Sequence, residues 1–97
     1  MAFVMIMQWE GVSLEQYEAA RRAVDWEQDL PVGALFHVAA HDGTSLRVTD
    51  VWQSPEQFQA FVDTRLMPAT QKLGITHPPK VEVLPAHAIF APGYNPK

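Results

Sequence analysis

No cysteine occurs in the chain, so disulfides, thiolate metal sites and a thiol nucleophile are excluded. Basic residues are scarce as well: seven Lys and Arg stand against eleven Asp and Glu, for a net charge of −4, and they are scattered. A nucleic-acid footprint needs a clustered basic face, which excludes that class of partner. The apolar run Phe3 to Met7 is far too short for a bilayer span, and it has neither the basic flank nor the small-residue cleavage site of a secretory leader. A cytoplasmic protein with no membrane partner is the expectation. The sequence also lacks a phosphate-binding loop, a dinucleotide fingerprint and an H-E-x-x-H helix, so it implies no cofactor.

The 97 residues suffice for one domain, 1–97, ending in a Pro- and Gly-containing tail at 91–97 that is either loose or draped over a partner. A chain of this length buries roughly two-thirds of its unfolded surface. At 47% hydrophobic and 19% charged it is rather apolar for its size, which points to a second copy covering part of the surface.

The stretch from Leu46 to Leu66 organises the chain. A strand from Leu46 to Trp52 runs straight into a helix opened by Ser54, Pro55 and Gln57, the pattern of an N-cap, a first-turn proline and a capping box. Phe58, Phe61, Val62, Arg65 and Leu66 then recur at the spacing of one helix face. Pro68 predicts a kink or restart near Met67, and Gly74 a left-handed cap. Upstream, the unbroken apolar run from Ala2 to Trp9 reads as a strand buried on both faces. Gly11 breaks it, and Ser13 with Gln16 caps a helix whose inner stripe is Leu14, Tyr17, Ala20 or Arg21, and Val24. A second strand spans about Ala34 to His41, with Asp42 to Ser45 as its hairpin loop. A last strand runs from Lys80 to about Phe90, and Pro85 within it predicts an edge position.

The order β-α-β-β-α-β fits an α+β, ferredoxin-like antiparallel sheet with both helices on one face. Its other face is left bare, and an exposed apolar sheet face marks an interface. Two sheets packed face to face would cover it.

Three segments, Gly11-Val12-Ser13-Leu14-Glu15-Gln16-Tyr17, Leu35-Phe36-His37-Val38-Ala39 and Arg47 to Ser54, resemble the dimeric α/β-barrel superfamily. The nearest part of it is the antibiotic-biosynthesis-monooxygenase-like group of small bacterial proteins. The likeness spans Ala2 to about Ile89, and its most specific element is Trp52, Ser54, Glu56 and Phe58 at the start of the second helix. It implies a homodimer in which two sheets pack as a barrel. Some members are cofactor-independent oxygenases of polyketide-like phenols; others degrade haem, are isomerases or dehydratases, or have no assigned activity. Trp52 matches the strand tryptophan of the haem-degrading branch, but the helical histidine expected about ten positions on falls at Val62. Haem is therefore disfavoured. The first-strand asparagine of several oxygenases has no clear equivalent, Gln8 being nearest.

Counting back from the hairpin sets His37 opposite Asp50, ~5 Å away, where a carboxylate orients an imidazole. The same register sets Leu35 opposite Trp52. Two readings fit the pair: a general base, His37, positioned by Asp50, or two polar groups satisfying each other. Trp52 is either a stacking surface for a flat ligand or a core residue packed on Phe58. Tyr17 and Arg65 lie on the inner helix stripes, within reach of a ligand, though an arginine there often lays its stem on the core and reaches outward. Phe36 and Phe58 would line an apolar pocket. No metal site is expected: His37 and His41 are ~13 Å apart along a strand, His87 sits on the opposite edge strand, and His77 lies exposed in a Pro-rich connector.

Two functions remain. One is a small cofactor-independent, monooxygenase-like enzyme acting on an aromatic or enolisable metabolite; the other is a non-catalytic ligand-binding or accessory barrel. A cavity above ~300 Å³ reaching His37 would favour the enzyme.

Overall fold

The computed structural model describes residues 1–94. The elements follow the expected order: β1 (Phe3–Glu10), α1 (Leu14–Val24), β2 (Ala34–His41), β3 (Ser45–Trp52), α2 (Pro55–Phe61), a π-helical turn (Val62–Leu66), α3 (Met67–Lys72) and β4 (Lys80–Pro85). The sheet is antiparallel throughout, in the order β2-β3-β1-β4. This is the ferredoxin-like α+β arrangement, with the first and third strands central and β4 at an edge. Pro85 closes β4 opposite Phe3, where the ladder ends.

One face of the sheet carries the core. Met5, Met7 and Trp9 of β1 and Leu46, Val48 and Trp52 of β3 are buried there with Val12, Phe58 and Ile75. Burial of side chains of this size stabilises by about 1.5–3 kcal/mol each. Within a single chain the alternation departs from the reading of β1 as buried on both faces: Ile6, between Met5 and Met7, is 40% exposed. The apolar run is continuous because its outer face is greasy too. Across that outer face the strand pairings align Phe36, Val51, Val4 and Leu84 in one row, and Val38, Thr49, Ile6 and Glu82 in the next.

The caps act as their sequences predict, with one exception. Ser13 and Gln16 form a reciprocal capping box at α1. At α2, Ser54 Oγ accepts from the Gln57 amide, but the Gln57 side chain takes the Ser54 hydroxyl rather than its backbone N–H, so the box is half made. Helix α1 ends at Asp25, in the left-handed conformation at φ 58°. Its inner stripe is narrower than expected: Ala20 and Val24 are buried, whereas Leu14, in the first turn, is 55% exposed.

The helix restarts at Met67, as Pro68 predicts, and the disturbance extends over the turn before it. With no N–H, Pro68 cannot bond Thr64, and the chain winds wide through Val62–Leu66, with Met67 N–H reaching back to the Val62 carbonyl. Gly74 (φ 82°) then closes α3 while Ile75 N–H returns to Thr70.

Strand β4 is shorter than predicted, ending at Pro85, so His87 lies beyond the sheet. The tail leaves that edge, where Ala86 N–H bonds Ala2, and brings Tyr94 edge-on to Phe36 at the other edge, with centroids 6.4 Å apart. Residues 95–97 of the predicted tail lie outside the described residues. Among the described residues no helix is long and apolar enough to cross a membrane.

Candidate functional site

The β2–β3 hairpin sets the site. Its loop is held by Asp42, whose carboxylate accepts from the Thr44 and Ser45 amides and from Ser45 Oγ. Those bonds hold its carboxyl far below the usual aspartate range. His41 then pairs with Leu46, and four residues back His37 pairs directly with Asp50. A bulge does occur in β2, but beyond the pair, between Ala34 and Phe36. It corrects one detail of register: Ala34, not Leu35, lies opposite Trp52.

His37 Nδ1 stands 2.7 Å from Asp50 Oδ1. A carboxylate only accepts, so Nδ1 carries a proton, and in the neutral imidazole Nε2 presents its lone pair. That lone pair accepts from the Tyr17 hydroxyl of α1, also at 2.7 Å. The other carboxylate oxygen, Asp50 Oδ2, accepts from Trp52 Nε1 at 3.1 Å. Tyr17, His37, Asp50 and Trp52 thus form one unbroken hydrogen-bonded chain across α1, β2 and β3. Asp50 is buried, while the His37 side chain is 33% exposed. Burial pushes the Tyr17 phenol up from its ordinary value, an effect opposed by Arg21 and reinforced by Glu18, Glu27 and Asp50.

Trp26 was not anticipated from the sequence. Its ring lies 5.1 Å from that of His37 and 5.9 Å from that of Tyr17, both tilted, while the Tyr17 and His37 rings are parallel to within 6°. The available signal was a tryptophan isolated among charged residues just after a helix, where burial requires a tertiary partner.

This chain borders a cavity of about 240 Å³ between α1, the 25–33 loop and the sheet. Apart from Gln16 and Thr70, the rest of its lining is apolar and includes Met7, Val48, Phe58 and Phe61. Trp52 is only 2% exposed and packs on Phe58 at 5.7 Å, the partner expected from the sequence, and on Phe61 at 5.4 Å. The cavity reaches His37, but its volume is below the ~300 Å³ that marks a typical ligand pocket. A second hollow, of about 270 Å³, opens on the β4 side of Met7, Trp9, Phe58 and Leu66.

Of the residues singled out in the sequence, Tyr17, His37, Asp50, Trp52 and Phe58 come together at this cavity. Two do not join them. The Arg65 guanidinium donates to the Val24 carbonyl at 2.9 Å, lies 3.7 Å from Asp29 and sits 5.5 Å over the Phe61 ring. Phe36 borders the cavity rim, but strand alternation from His37 turns its ring to the outer face, against Tyr94. His41 and His77 are structural: each donates through Nε2 to a carbonyl flanking the β1–α1 turn, Val12 at 2.9 Å and Glu10 at 2.6 Å. His77 is exposed, as expected, yet its own carbonyl accepts from Trp9. Among the described residues no group of three or more His, Asp or Glu is placed to hold a metal.

No family model and no curated protein matches the sequence. Solved structures do, at the level of the fold. A protein of unknown function from Nitrosomonas europaea is 16% identical over 96% of both chains, with a TM-score of 0.72. The cofactor-independent oxygenase SnoaB of Streptomyces nogalater is 12% identical, over 91% of this chain and 95% of that one, at 0.67. A monooxygenase of Streptomyces coelicolor, from the gene ActVA-Orf6 and solved with nanaomycin D, is 22% identical over 92% and 91%, at 0.61. The fold is therefore that of the small antibiotic-biosynthesis-monooxygenase-like proteins.

Proposed function

We propose that this protein is a cytoplasmic homodimer and a cofactor-independent, monooxygenase-like enzyme acting on an aromatic or enolisable metabolite. His37 is the general base, Asp50 orients it and stabilises its protonated form, and Trp52 and Phe58 shape the apolar wall. The observation that carries this reading is the buried Asp50 fixing the His37 tautomer at the edge of a mostly apolar cavity. Removing a proton from a phenol or enol leaves an electron-rich anion, and an anion of that kind reacts with dioxygen without a metal or flavin. The protein's task is then to ionise the guest, hold it and exclude water. The fold-level likeness to SnoaB supports the same chemistry.

The homodimer is supported by the outer sheet face, where Ile6, Val38 and Leu84 are 40–49% exposed on a four-strand surface. Pairing two such faces buries them without altering the cavity side.

A non-catalytic ligand-binding barrel is the second reading, favoured by the cavity's modest volume. Oxygen uptake separates the two. Purified protein is offered a panel of hydroxynaphthalenes and hydroxyanthrones, and uptake is compared between the wild type and His37→Ala. Loss of uptake in a folded variant is expected; equal uptake would end the assignment of His37 as base.

A further inference from the structure

Every polar atom of His37 is already engaged by the protein. Nδ1 is held by Asp50 and Nε2 by the Tyr17 hydroxyl, both at 2.7 Å, while Trp26 covers the ring. A guest in the cavity therefore has no free nitrogen to meet. The Tyr17 oxygen is different. Its one proton is committed to His37, but a phenolic oxygen keeps acceptor capacity beyond the bond it donates. No other hydrogen bond to that oxygen occurs among the described side chains, and Tyr17 lines the cavity.

We propose that Tyr17, rather than His37, meets the acidic hydroxyl of the guest and passes its proton inward. This rests on His37 being the base and deepens that reading. The guest O–H bond breaks as a new O–H bond forms on Tyr17 Oη; Tyr17's original O–H bond breaks as an N–H bond forms on His37 Nε2. The electron pair of the guest O–H bond stays with the guest, which becomes the anion. Tyr17 ends neutral as it began, and the imidazolium is balanced by the Asp50 carboxylate. Because burial disfavours a free tyrosinate, the two transfers occur together rather than through an ionised Tyr17.

The same geometry narrows the guest. The cavity lining offers no lysine or arginine, and Arg65 is turned to Val24 and Asp29. A carboxylate or phosphate would enter unpaired and lose its hydration without compensation. A neutral, flat molecule with one acidic hydroxyl fits.

The test uses 7-hydroxycoumarin, a small neutral phenol whose absorbance reports its ionisation. The anion-to-neutral ratio of the bound dye is read at one fixed pH in the wild type, Tyr17→Phe and His37→Ala, with imidazole 15N NMR confirming that His37 keeps its Nδ1 proton in Tyr17→Phe. At least a tenfold fall in the ratio is expected in both variants, with dye affinity in Tyr17→Phe changed no more than a few-fold. If His37→Ala loses ionisation while Tyr17→Phe keeps it, His37 takes the proton directly and the relay is wrong, with the base intact. If His37→Ala ionises the dye as the wild type does, the base itself is wrong. Exclusion of the dye from the wild-type cavity would overturn the assignment of a neutral phenolic guest and the relay with it.

Discussion

Trp52 donates its indole N–H to Asp50, two residues earlier on the same strand, and so satisfies the carboxylate oxygen that His37 leaves free. The most buried aromatic of the site is thereby a polar anchor as well as a packing surface. Trp52→Phe keeps the contacts to Phe58 and Phe61 in part but leaves a buried carboxylate oxygen without a partner. A loss of about 1–3 kcal/mol beyond the packing deficit is expected. Urea unfolding of Trp52→Phe, with and without Asp50→Ala, measures it. If the two substitutions prove additive, the bond contributes nothing.

Asp50→Asn makes a sharper demand. Two donors, His37 Nδ1–H and Trp52 Nε1–H, converge on Asp50, and a carboxamide has only one acceptor oxygen. With Trp52 fixed in the core, His37 should switch to the Nε2–H tautomer and accept at Nδ1 from the new amide. Imidazole 15N NMR distinguishes the tautomers directly. Persistence of the Nδ1–H form in Asp50→Asn would show that Trp52, not His37, yields.

The hairpin that sets the register is predicted to be sensitive to acid through Asp42. Its folded-state carboxyl titrates well below the ordinary aspartate value of about 3.9, so it contributes stability that is fully present above that value and is lost as pH falls through the lower one. Melting temperatures of the wild type and Asp42→Asn should differ at neutral pH, and the gap should begin to narrow once pH falls below about 4 and keep narrowing with further acid. A gap that stays constant down to pH 2 would contradict the assignment.

Gly33 and Gly43 both have positive φ, at 90° and 102°, yet their surroundings differ. A side chain at Gly33 would collide with Gln57, whereas Gly43 faces open space. Gly43→Ala should cost only the backbone term of about 1–2 kcal/mol, and Gly33→Ala clearly more. Equal losses in thermal unfolding would mean that Gln57 moves aside freely.

If the outer sheet face pairs with a second copy, Ile6→Lys at its centre should yield a monomer. Sedimentation velocity at micromolar concentration reads the outcome. A wild-type protein that is itself monomeric would refute the dimer without bearing on the Tyr17–His37–Asp50 chain, which lies within one subunit.

Much of the fold was legible because local rules and global topology agree: apolar strand runs, Ser-led caps, the Asp42–Ser45 loop and Pro85 each specify their own neighbourhood. The His37–Asp50 pair followed from the loop, since a hairpin register propagates by counting. What could not be counted was missed. The Ala34–Phe36 bulge displaces Leu35 and has no compositional mark. Trp26 reaches His37 only through the left-handed Asp25, a residue whose φ sequence does not reveal. The direction of Arg65 depends on where α1 ends relative to the wide turn, a tertiary distance that periodicity on one helix cannot supply.

The wide turn at Val62–Leu66 also restricts what length changes the chain can tolerate. Relative to an α-helix it holds one surplus residue, worth about 100° of rotation. Deleting any codon there would restore regular winding only by swinging Phe58 and Phe61 off Trp52, or by swinging Thr70 out of the interior. The aromatic wall and the proline-bearing half of the helix are thus held in phase by a single supernumerary residue.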